Sequence, residues 1–349
     1  MIHIADPSHH QRIPFYLISI FIALAVGIGV MGYLYYAKQK DRLREEGQEQ
    51  LVAIADLKAG QIEKWRQERL NDGAMISTPF IVSHIQDFLG SQKTVQTVEE
   101  VINWLASLQV SGPYDGIFLL DGKGVAKVSV PASKKLGGRH VQSFINEVIQ
   151  NKKMVFSDLY RDEISDKIYL DLLVPLLIER NRESLLIGML LLRIDPYQFL
   201  YPLVQSWPLP SRSAESLLVR REGNEALFLN EVRHKKDTAL AFRVPINEQQ
   251  NPAAMAARGV EGIVDEAVDY RGTKVLAVIM PIKDSPWFLI AKMDQDEVYA
   301  SIHEHKVLVI LLASALILIA GVMIVLIWRH QAARFYRQQY QIELESEPF

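Results

Sequence analysis

The chain has 349 residues, of which 49% are hydrophobic and 23% are charged. Its formal net charge is −3 and it contains no block of basic residues, which argues against nucleic acid as a partner. It contains no cysteine, so a fold held together by disulfides is excluded; this fits a translocated bacterial domain, although a cytosolic chain could lack cysteine too.

Two apolar runs dominate the sequence. Residues 13–36 and residues 307–328 each lack charged side chains and histidine. A helix rises about 1.5 Å per residue, so either run can cross a hydrocarbon core of about 30 Å. Aromatic residues, which favour the membrane interface, lie at the ends of the runs: Tyr33, Tyr35, Tyr36 and Trp328. We therefore predict two transmembrane helices, the first an uncleaved anchor that follows a cytoplasmic tail of residues 1–12.

Two membrane helices place both termini on one side of the membrane and the segment between them on the other. The basic residues give no single orientation, because they follow both runs: Lys38, Lys40, Arg42 and Arg44 after the first, and Arg329, Arg334 and Arg337 after the second. Long loops cross a membrane largely regardless of their charge. We expect a bacterial inner (plasma) membrane protein with an extracytoplasmic central domain and cytoplasmic termini.

Helical patterns follow the first apolar run over residues 37–110. An apolar stripe at helical spacing lies in a stretch rich in Glu, Gln, Lys and Arg: Leu51, Ile54, Ile62 and Trp65. The stripe predicts one long amphipathic helix over residues 38–71. Asn71-Asp72-Gly73 is expected to end it, because Gly and Asn accept the left-handed conformation of many helix ends. A second helical region is predicted over residues 78–108.

From residue 111 onwards, one pattern of elements occurs twice. Each copy predicts a hairpin, a helix and three further strands. The hairpins are residues 116–128 and 216–229, and the helices lie near 142–150 and 252–258. The further strands are 155–160, 167–178 and 185–195 in the first copy, and 262–270, 274–282 and 287–294 in the second. The predicted fold class is therefore α+β, with a long N-terminal helix and two antiparallel five-stranded sheets between two membrane helices.

Prolines mark the boundary between the two copies. Four of them forbid a regular helix or a central strand between residues 196 and 213: Pro196, Pro202, Pro208 and Pro210. We call residues 111–200 the distal module and residues 201–306 the proximal module, because the latter leads directly into the second apolar run. Residues 329–349 are predicted to begin a cytoplasmic signalling helix.

Three stretches carry a resemblance to a known family. They are Phe156-Ser157-Asp158-Leu159-Tyr160-Arg161-Asp162 with Val174-Pro175-Leu176, Ala267-Val268-Asp269-Tyr270-Arg271-Gly272, and Pro286-Trp287-Phe288-Leu289-Ile290-Ala291-Lys292-Met293-Asp294. With the order of elements, they resemble the double Cache (PAS-like) sensor domains of bacterial receptors over residues 38–305. Such domains occur in sensor histidine kinases and in diguanylate cyclases whose cytoplasmic half starts with a PAS domain.

The resemblance implies a function. The distal module is expected to bind a small ligand, with an amino acid or a carboxylate as candidates, whereas the proximal module of the family often binds nothing. The Arg-x-Trp-Tyr element of amino-acid-binding members is not recognisable here. The chain is thus expected to sense a ligand and signal across the membrane, as part of a two-component sensor histidine kinase or, alternatively, of a diguanylate cyclase.

The effector is expected to lie beyond residue 349 or, alternatively, to be supplied by a separate partner protein. The sequence shows no nucleotide-binding glycines, phosphoacceptor histidine context or cyclase motif, so we predict no catalytic residue, metal or cofactor in this portion. A homodimer is expected, with the helices of residues 38–71 pairing. Two rivals stay open: a structural two-span membrane protein such as a polysaccharide chain-length regulator, and a sensor that transmits contact from a periplasmic binding protein.

Six residues of the distal module are predicted to contact a ligand: Arg139, Asp158, Tyr160, Arg161, Tyr169 and Asp171. A pocket for a carboxylate or a zwitterion needs a guanidinium, an acid for an ammonium group and aromatic walls. Asp171 is the hardest to explain as a surface residue, because it lies between Leu170 and Leu172 in an apolar strand. The alternative is that most of these residues form a solvated turn. In the proximal module, residues 269–271 precede Gly272 and predict a hairpin turn or, alternatively, a second site.

Overall fold

A continuous helix, α1 (Phe15–Ile76), opens the computed structural model, which describes residues 15–90, 95–180 and 182–345. The helix combines the first apolar run with the long amphipathic stretch. Its predicted end at residues 71–73 is wrong, because α1 continues past Gly73. A Cβ atom at Gly73 would lie 2.8 Å from the side chain of Met154. The lack of a side chain at Gly73 therefore lets Met154 pack closely against α1, and this glycine does not end the helix.

Two helices of the described chain are long and apolar enough to cross a membrane. They are α1 and the apolar part of α8 (Ala300–Glu345), over Val307–Arg334. The short helix α7 (Gln295–Val298) precedes α8. The chain divides into two compact units, Met1–Gly47 with Asp296–Phe349, and Gln48–Gln295. The predicted tail of residues 1–12, the start of the first apolar run and the last four residues lie outside the described ranges.

The second predicted helical region consists of two helices, α2 (Pro79–Leu89) and α3 (Val95–Ser111). Pro79 stands at the start of α2, where its missing N–H and its fixed φ are tolerated. The helix buries Val82, Ile85 and Phe88, which recur every three residues and so lie on one face.

The distal module contains the first antiparallel sheet. Its elements are β1 (Tyr114–Asp121), β2 (Ala126–Val130), α4 (Arg139–Asn151), β3 (Val155–Phe156), β4 (Tyr160–Arg161), β5 (Ile168–Arg180) and β6 (Glu183–Ile194). The strand order is β2-β1-β6-β5-β3, and β4 also pairs with β5. The sheet has six strands where five were predicted, because the predicted strand 155–160 is interrupted. Asp158 lies in this interruption, and its carboxylate pairs with Arg220 and accepts a hydrogen bond from Trp287, both in the proximal module.

The proximal module contains the second antiparallel sheet. Its elements are α5 (Leu200–Gln205), β7 (Glu215–Glu222), β8 (Glu225–Phe228), β9 (Arg243–Pro245), α6 (Pro252–Ala257), β10 (Gly262–Val268), β11 (Lys274–Pro281) and β12 (Trp287–Asp294). The strand order is β10-β11-β12-β7-β8-β9. The sixth strand, β9, is only three residues long, too short for an alternating pattern to reveal it.

Each sheet has a helix packed on one face. In the distal module, the apolar face of α4, with Val141, Ile145 and Val148, packs in the same core as Phe118 and Leu173. In the proximal module, four buried alanines of α6 join the core around Phe228. The two antiparallel sheets with helical cover confirm the predicted fold class. Tyr160 and Tyr169 of the distal module belong to its hydrophobic core.

Candidate functional site

A buried polar cluster lies between β4, β5 and β6 of the distal module. Asp171 on β5 is directly opposite Arg193 on β6, and Tyr160 on β4 is opposite Tyr169 on β5. The Nε of Arg193 donates to Oδ1 of Asp171 at 3.0 Å, and its Nη2 donates to Oδ2 at 3.1 Å. Nη2 also donates to the hydroxyl of Tyr160 at 2.7 Å, and this hydroxyl donates to Asp171. The two-pronged pairing fixes the planes of both charged groups.

Aromatic rings enclose the guanidinium of Arg193. Its Cζ lies 4.7 Å from the ring centroid of Tyr169 and 5.4 Å from that of Phe118. His140 stacks on the outer side of Tyr160, with their ring centroids 5.9 Å apart. Rings around a cation attract it through their negative faces and keep water away. The cluster is therefore a dry polar site with aromatic walls.

Burial determines the protonation of the cluster. It raises the pKa of Asp171, while the neighbouring Arg193 opposes the rise. It also raises the pKa of Tyr160, and the negative charge of Asp171 raises it further. Burial alone would lower the pKa of Arg193, but Asp171 raises it above the usual value. Arg193 therefore stays cationic, and Tyr160 stays a neutral donor.

A second buried carboxylate, Asp162, lies beside Arg193. Its Oδ2 accepts hydrogen bonds from the backbone N and the Oγ of Ser165, at 2.8 and 2.7 Å. Its Oδ1 is buried and lies 3.5 Å from Nη1 of Arg193, but no group in the described ranges donates a hydrogen bond to it. Two carboxylates thus face one guanidinium, and one of their oxygens has no hydrogen-bond donor among the described residues.

An outer ion pair extends the cluster towards the surface. Nζ of the half-buried Lys134 pairs with Asp115 and lies 5.9 Å from the ring centroid of Tyr169. Burial opposes ionisation of Asp115, but the hydrogen bond from Lys134 holds its pKa below the usual value. Burial and the hydrogen bond with Asp115 raise the pKa of Tyr169. The site therefore changes from dry to solvated over a short distance.

Three of the six predicted residues come together in this cluster: Tyr160, Tyr169 and Asp171. Arg139 is exposed at the start of α4, and its backbone N–H donates to Glu163 at 3.2 Å. Arg161 is exposed and donates to the carbonyl oxygens of Asp166 and Ala239. The structure therefore places Arg139 and Arg161 outside the cluster.

Asp158 faces the proximal module. Its Oδ2 lies 2.8 Å from Nη1 of Arg220, and its Oδ1 accepts from Nε1 of Trp287 at 2.7 Å. In an unbroken strand Asp158 and Tyr160 would share a sheet face, but the break between β3 and β4 separates them. The two residues nevertheless remain in one short segment of the chain.

Four members of the cluster were not predicted: Asp115, Lys134, Asp162 and Arg193. Arg193 carries the same signal that singled out Asp171, a charge between apolar neighbours, here Leu192 and Ile194. Lys134 and Asp162 lie in loops without periodicity, so the sequence offered no comparable signal for them.

Residues 269–272 of the proximal module form the predicted hairpin turn. The N–H of Gly272 donates to the carbonyl of Asp269 at 2.9 Å, and Gly272 has a φ of +77°. Asp269 is buried and accepts from Nζ of Lys292 at 2.6 Å and from Nε of Arg271 at 2.7 Å. The described residues contain no group of three or more His, Cys, Asp or Glu side chains that could hold a metal ion.

Lys292 is buried between two carboxylates. Besides Asp269, it pairs with Oε2 of Glu215 at 3.0 Å. The hydroxyl of Tyr270 donates to the same Glu215 oxygen at 3.0 Å. Burial disfavours ionisation of Asp269, but the hydrogen bond from Lys292 holds its pKa below the usual value. The proximal module thus contains its own paired cluster, between β7, β12 and the turn after β10.

Solved structures of bacterial sensor domains resemble this chain. The ligand-binding domain of the Pseudomonas fluorescens chemoreceptor CtaA in complex with L-isoleucine has a TM-score of 0.49 and 14% identity, and the match covers 75% of this chain and 98% of that one. The corresponding domain of the Pseudomonas aeruginosa amino acid chemoreceptor PctB with L-Gln has a TM-score of 0.47 and 15% identity, covering 76% and 98%. A domain of a putative sensory box/GGDEF family protein from Vibrio parahaemolyticus has a TM-score of 0.49 and 15% identity, covering 74% and 98%.

The family models give the assignment. No curated protein matches the sequence. The family model described as Cache domain (dCache_1) matches residues 37–302 of the 349, which is more than half of the chain and includes both sheets. The match confirms the resemblance drawn from the sequence. The chain therefore belongs to the double Cache family of sensor domains.

Proposed function

We propose that this chain is the ligand-sensing part of a bacterial transmembrane receptor, and that the distal module binds a small molecule carrying an ammonium group. The buried cluster of Asp171, Arg193, Tyr160 and Asp162 carries the proposal. A buried ion pair often stabilises a fold no better than well-packed apolar residues would. Perturbed ionisable groups enclosed by aromatic walls are instead typical of binding sites.

The charges of the cluster indicate the class of ligand. Asp171 and Asp162 carry two negative charges against one positive charge on Arg193, and Oδ1 of Asp162 lacks a donor among the described residues. A ligand ammonium group supplies both a positive charge and N–H donors. Amino acids and amines meet this requirement, whereas a dicarboxylate without an amine does not.

The proposed topology follows the two apolar helices. The N-terminal part of α1 and the apolar part of α8 cross a bacterial inner membrane, the two sheet modules are extracytoplasmic and both termini are cytoplasmic. The side chains of both helices support this proposal, because large apolar residues such as Val26 and Leu318 are exposed. Apolar side chains facing outwards over such lengths suit a lipid environment.

The proposed output is that of a sensor histidine kinase acting as a homodimer. Helix α8 continues beyond its apolar stretch to Glu345, which suits a helix that passes a conformational change to a cytoplasmic partner. A ligand shifts such an equilibrium only through its different affinities for the two states. A shift from 1:99 to 99:1 requires about 5.5 kcal/mol of differential affinity.

A thermal-shift screen of the full chain in lipid nanodiscs tests the proposal. The panel contains amino acids, amines, purines and dicarboxylates without an amine. A ligand that binds only the folded state raises the melting temperature, so we expect amino acids or amines to raise it.

Two variants locate the site. Asp162→Asn should abolish the shift, because it removes the charge that faces the ammonium group. Asp166→Asn should retain the rise in melting temperature, because this variant removes a similar charge from an exposed position in the same loop. No shift with any amine-bearing compound, or a shift that survives Asp162→Asn unchanged, would contradict the proposal.

A further inference from the structure

Five consecutive residues contact either the distal cluster or the proximal module. We call residues 157–161 the bridge segment. On the distal side, Oγ of Ser157 accepts from the backbone N of Asp171 at 2.7 Å, and the hydroxyl of Tyr160 bonds to Asp171 and Arg193. The remaining three residues contact the proximal module: Asp158, Leu159 and Arg161. The bridge segment is thus held by contacts to both modules within five residues.

Asp158 holds two strands of the proximal sheet at once. Its carboxylate pairs with Arg220 of β7 at 2.8 Å and accepts from the indole N–H of Trp287 on β12 at 2.7 Å. Arg220 adds a bond of 3.0 Å to the carbonyl of Leu159. Trp287 is 1% exposed, so its N–H has little access to water. Losing the carboxylate would leave a buried donor unpaired, which is unfavourable.

Helix α1 meets the same junction. The guanidinium of Arg66 lies 4.7 Å from the ring centroid of Phe156 and 4.9 Å from that of Trp287. Its Nη2 also donates to the carbonyl of Asp284 at 2.9 Å. Arg66 is therefore held between a distal residue that directly precedes the bridge segment and the proximal tryptophan that Asp158 binds. The long helix, the distal module and the proximal module make contact at one point.

We propose that the bridge segment transmits the state of the distal cluster to the proximal module and α1, with Asp158 as the coupling residue. The inference rests on the proposed function for the nature of the ligand, but not for the coupling itself. Tyr160 and Asp158 are two residues apart, so their Cα atoms are separated by at most about 7 Å. Because Ser157 is fixed on Asp171, a rearrangement of Tyr160 displaces Asp158 instead of being absorbed by slack chain.

The coupling can be tested without knowing the ligand, because a variant can perturb the distal cluster. Tyr160→Phe removes the hydroxyl that bonds to both Asp171 and Arg193, and it leaves the ring in place. Backbone hydrogen exchange of the full chain in nanodiscs then measures the opening of β7 and β12. We expect Tyr160→Phe and Asp158→Asn each to accelerate exchange in both strands by about tenfold or more, because local opening reports lost contacts.

Two further variants serve as a check and as a control. Arg220→Gln should reproduce the effect of Asp158→Asn from the other side of the contact, and it keeps the test valid if one variant folds poorly. Glu147→Gln removes an exposed charge of α4, which no described contact joins to the bridge segment, and should leave exchange in β7 and β12 unchanged. This variant separates loss of the Asp158 contact from loss of a charge elsewhere in the distal module.

A double-mutant cycle decides between a coupled and an independent bridge. If the bridge transmits, the melting-temperature changes of Tyr160→Phe and Asp158→Asn are not additive, whereas those of Tyr160→Phe and Glu147→Gln add. Additivity in both pairs, or unchanged exchange in β7 and β12 in Tyr160→Phe, would overturn the inference. A failed ligand screen with non-additive variants would refute the proposed function alone, and a successful screen with additive variants would refute the bridge alone.

Discussion

The distal and proximal modules contain similar polar clusters that differ in one respect. Each has a buried cation on the strand that comes last in chain order, Arg193 on β6 and Lys292 on β12. Each cation faces two carboxylates, and a tyrosine hydroxyl bonds to one of them. In the proximal cluster, all four carboxylate oxygens of Asp269 and Glu215 accept hydrogen bonds.

The distal cluster is less complete, because Oδ1 of Asp162 accepts from no described residue. A fully paired buried cluster holds its strands together and has no capacity left for a ligand. A cluster with a buried acceptor to spare can gain a partner. The two clusters thus have similar parts and differ in one unpaired acceptor, and the recognition role proposed for the distal cluster rests on this difference.

Loss of the buried cation of the proximal cluster should have the largest effect on stability among the variants considered. Lys292→Met leaves Glu215 without a paired cation in the described chain and Asp269 with Arg271 alone, and we expect the free energy of unfolding to fall by about 3–5 kcal/mol. Urea unfolding of the full chain in detergent measures it. Lys274→Met, at an exposed position of β11, should change the same quantity by less than about 0.5 kcal/mol. Equal effects of the two variants would show that the proximal cluster does not hold the sheet.

Removing the tyrosine hydroxyl of the distal cluster should have an intermediate effect. Tyr160→Phe removes a hydrogen bond to the carboxylate of Asp171, and bonds to charged groups contribute about 1.5–3 kcal/mol. The equivalent variant Tyr270→Phe removes the bond to Glu215, which retains Lys292. We expect it to lower the free energy of unfolding by less than Tyr160→Phe does. The reverse order would contradict the comparison.

Asp162→Asn should have a small effect on stability, because the variant loses an oxygen that accepts no hydrogen bond from the described residues. We expect the free energy of unfolding to change by about 1 kcal/mol or less, the contribution of one ordinary polar contact. Its loss of ligand-induced stabilisation should be complete by comparison. A large loss of stability would instead show that Asp162 is as structural as Asp269.

The pH dependence of stability should differ in sign between the modules. Burial raises the pKa of Asp171, so the native state binds its proton more tightly than the unfolded state does. The stabilisation from this proton is fully present below about pH 3.9 and is lost as the pH rises through the folded-state pKa. The pKa of Asp269 is lowered, so its contribution is present above about 3.9 and is lost as the pH falls through the folded pKa.

Urea midpoints between pH 3 and pH 7 separate these two contributions. Asp171→Asn should remove the part of the pH dependence above about 3.9, and Asp269→Asn should remove the part below it. If both variants flattened the same limb of the curve, the two carboxylates would not differ as described.

The sequence predicted the fold class, and three of the six residues it singled out meet in the distal cluster; that this cluster binds a ligand stays a prediction. The twofold repeat predicted both sheets, and an isolated charge in an apolar strand pointed to Asp171. The predicted strand 155–160 is interrupted between β3 and β4, and Asp158 in the gap pairs with the distant Arg220, which local periodicity does not reveal. Asp162 and Lys134 lie in irregular loops, whose conformation depends on distant partners rather than on local periodicity.

Trp287 gives the molecule a built-in optical reporter. Its indole N–H donates to the carboxylate of Asp158, and the guanidinium of Arg66 lies over its ring. Charges at the edge and the face of an indole alter the energy of its emitted light, so any movement of Asp158 or Arg66 changes the tryptophan fluorescence. The chain contains five tryptophans, and the spectrum of the parent minus that of Trp287→Phe isolates this one. The junction of the two modules can therefore be observed in real time without a label and without an output domain.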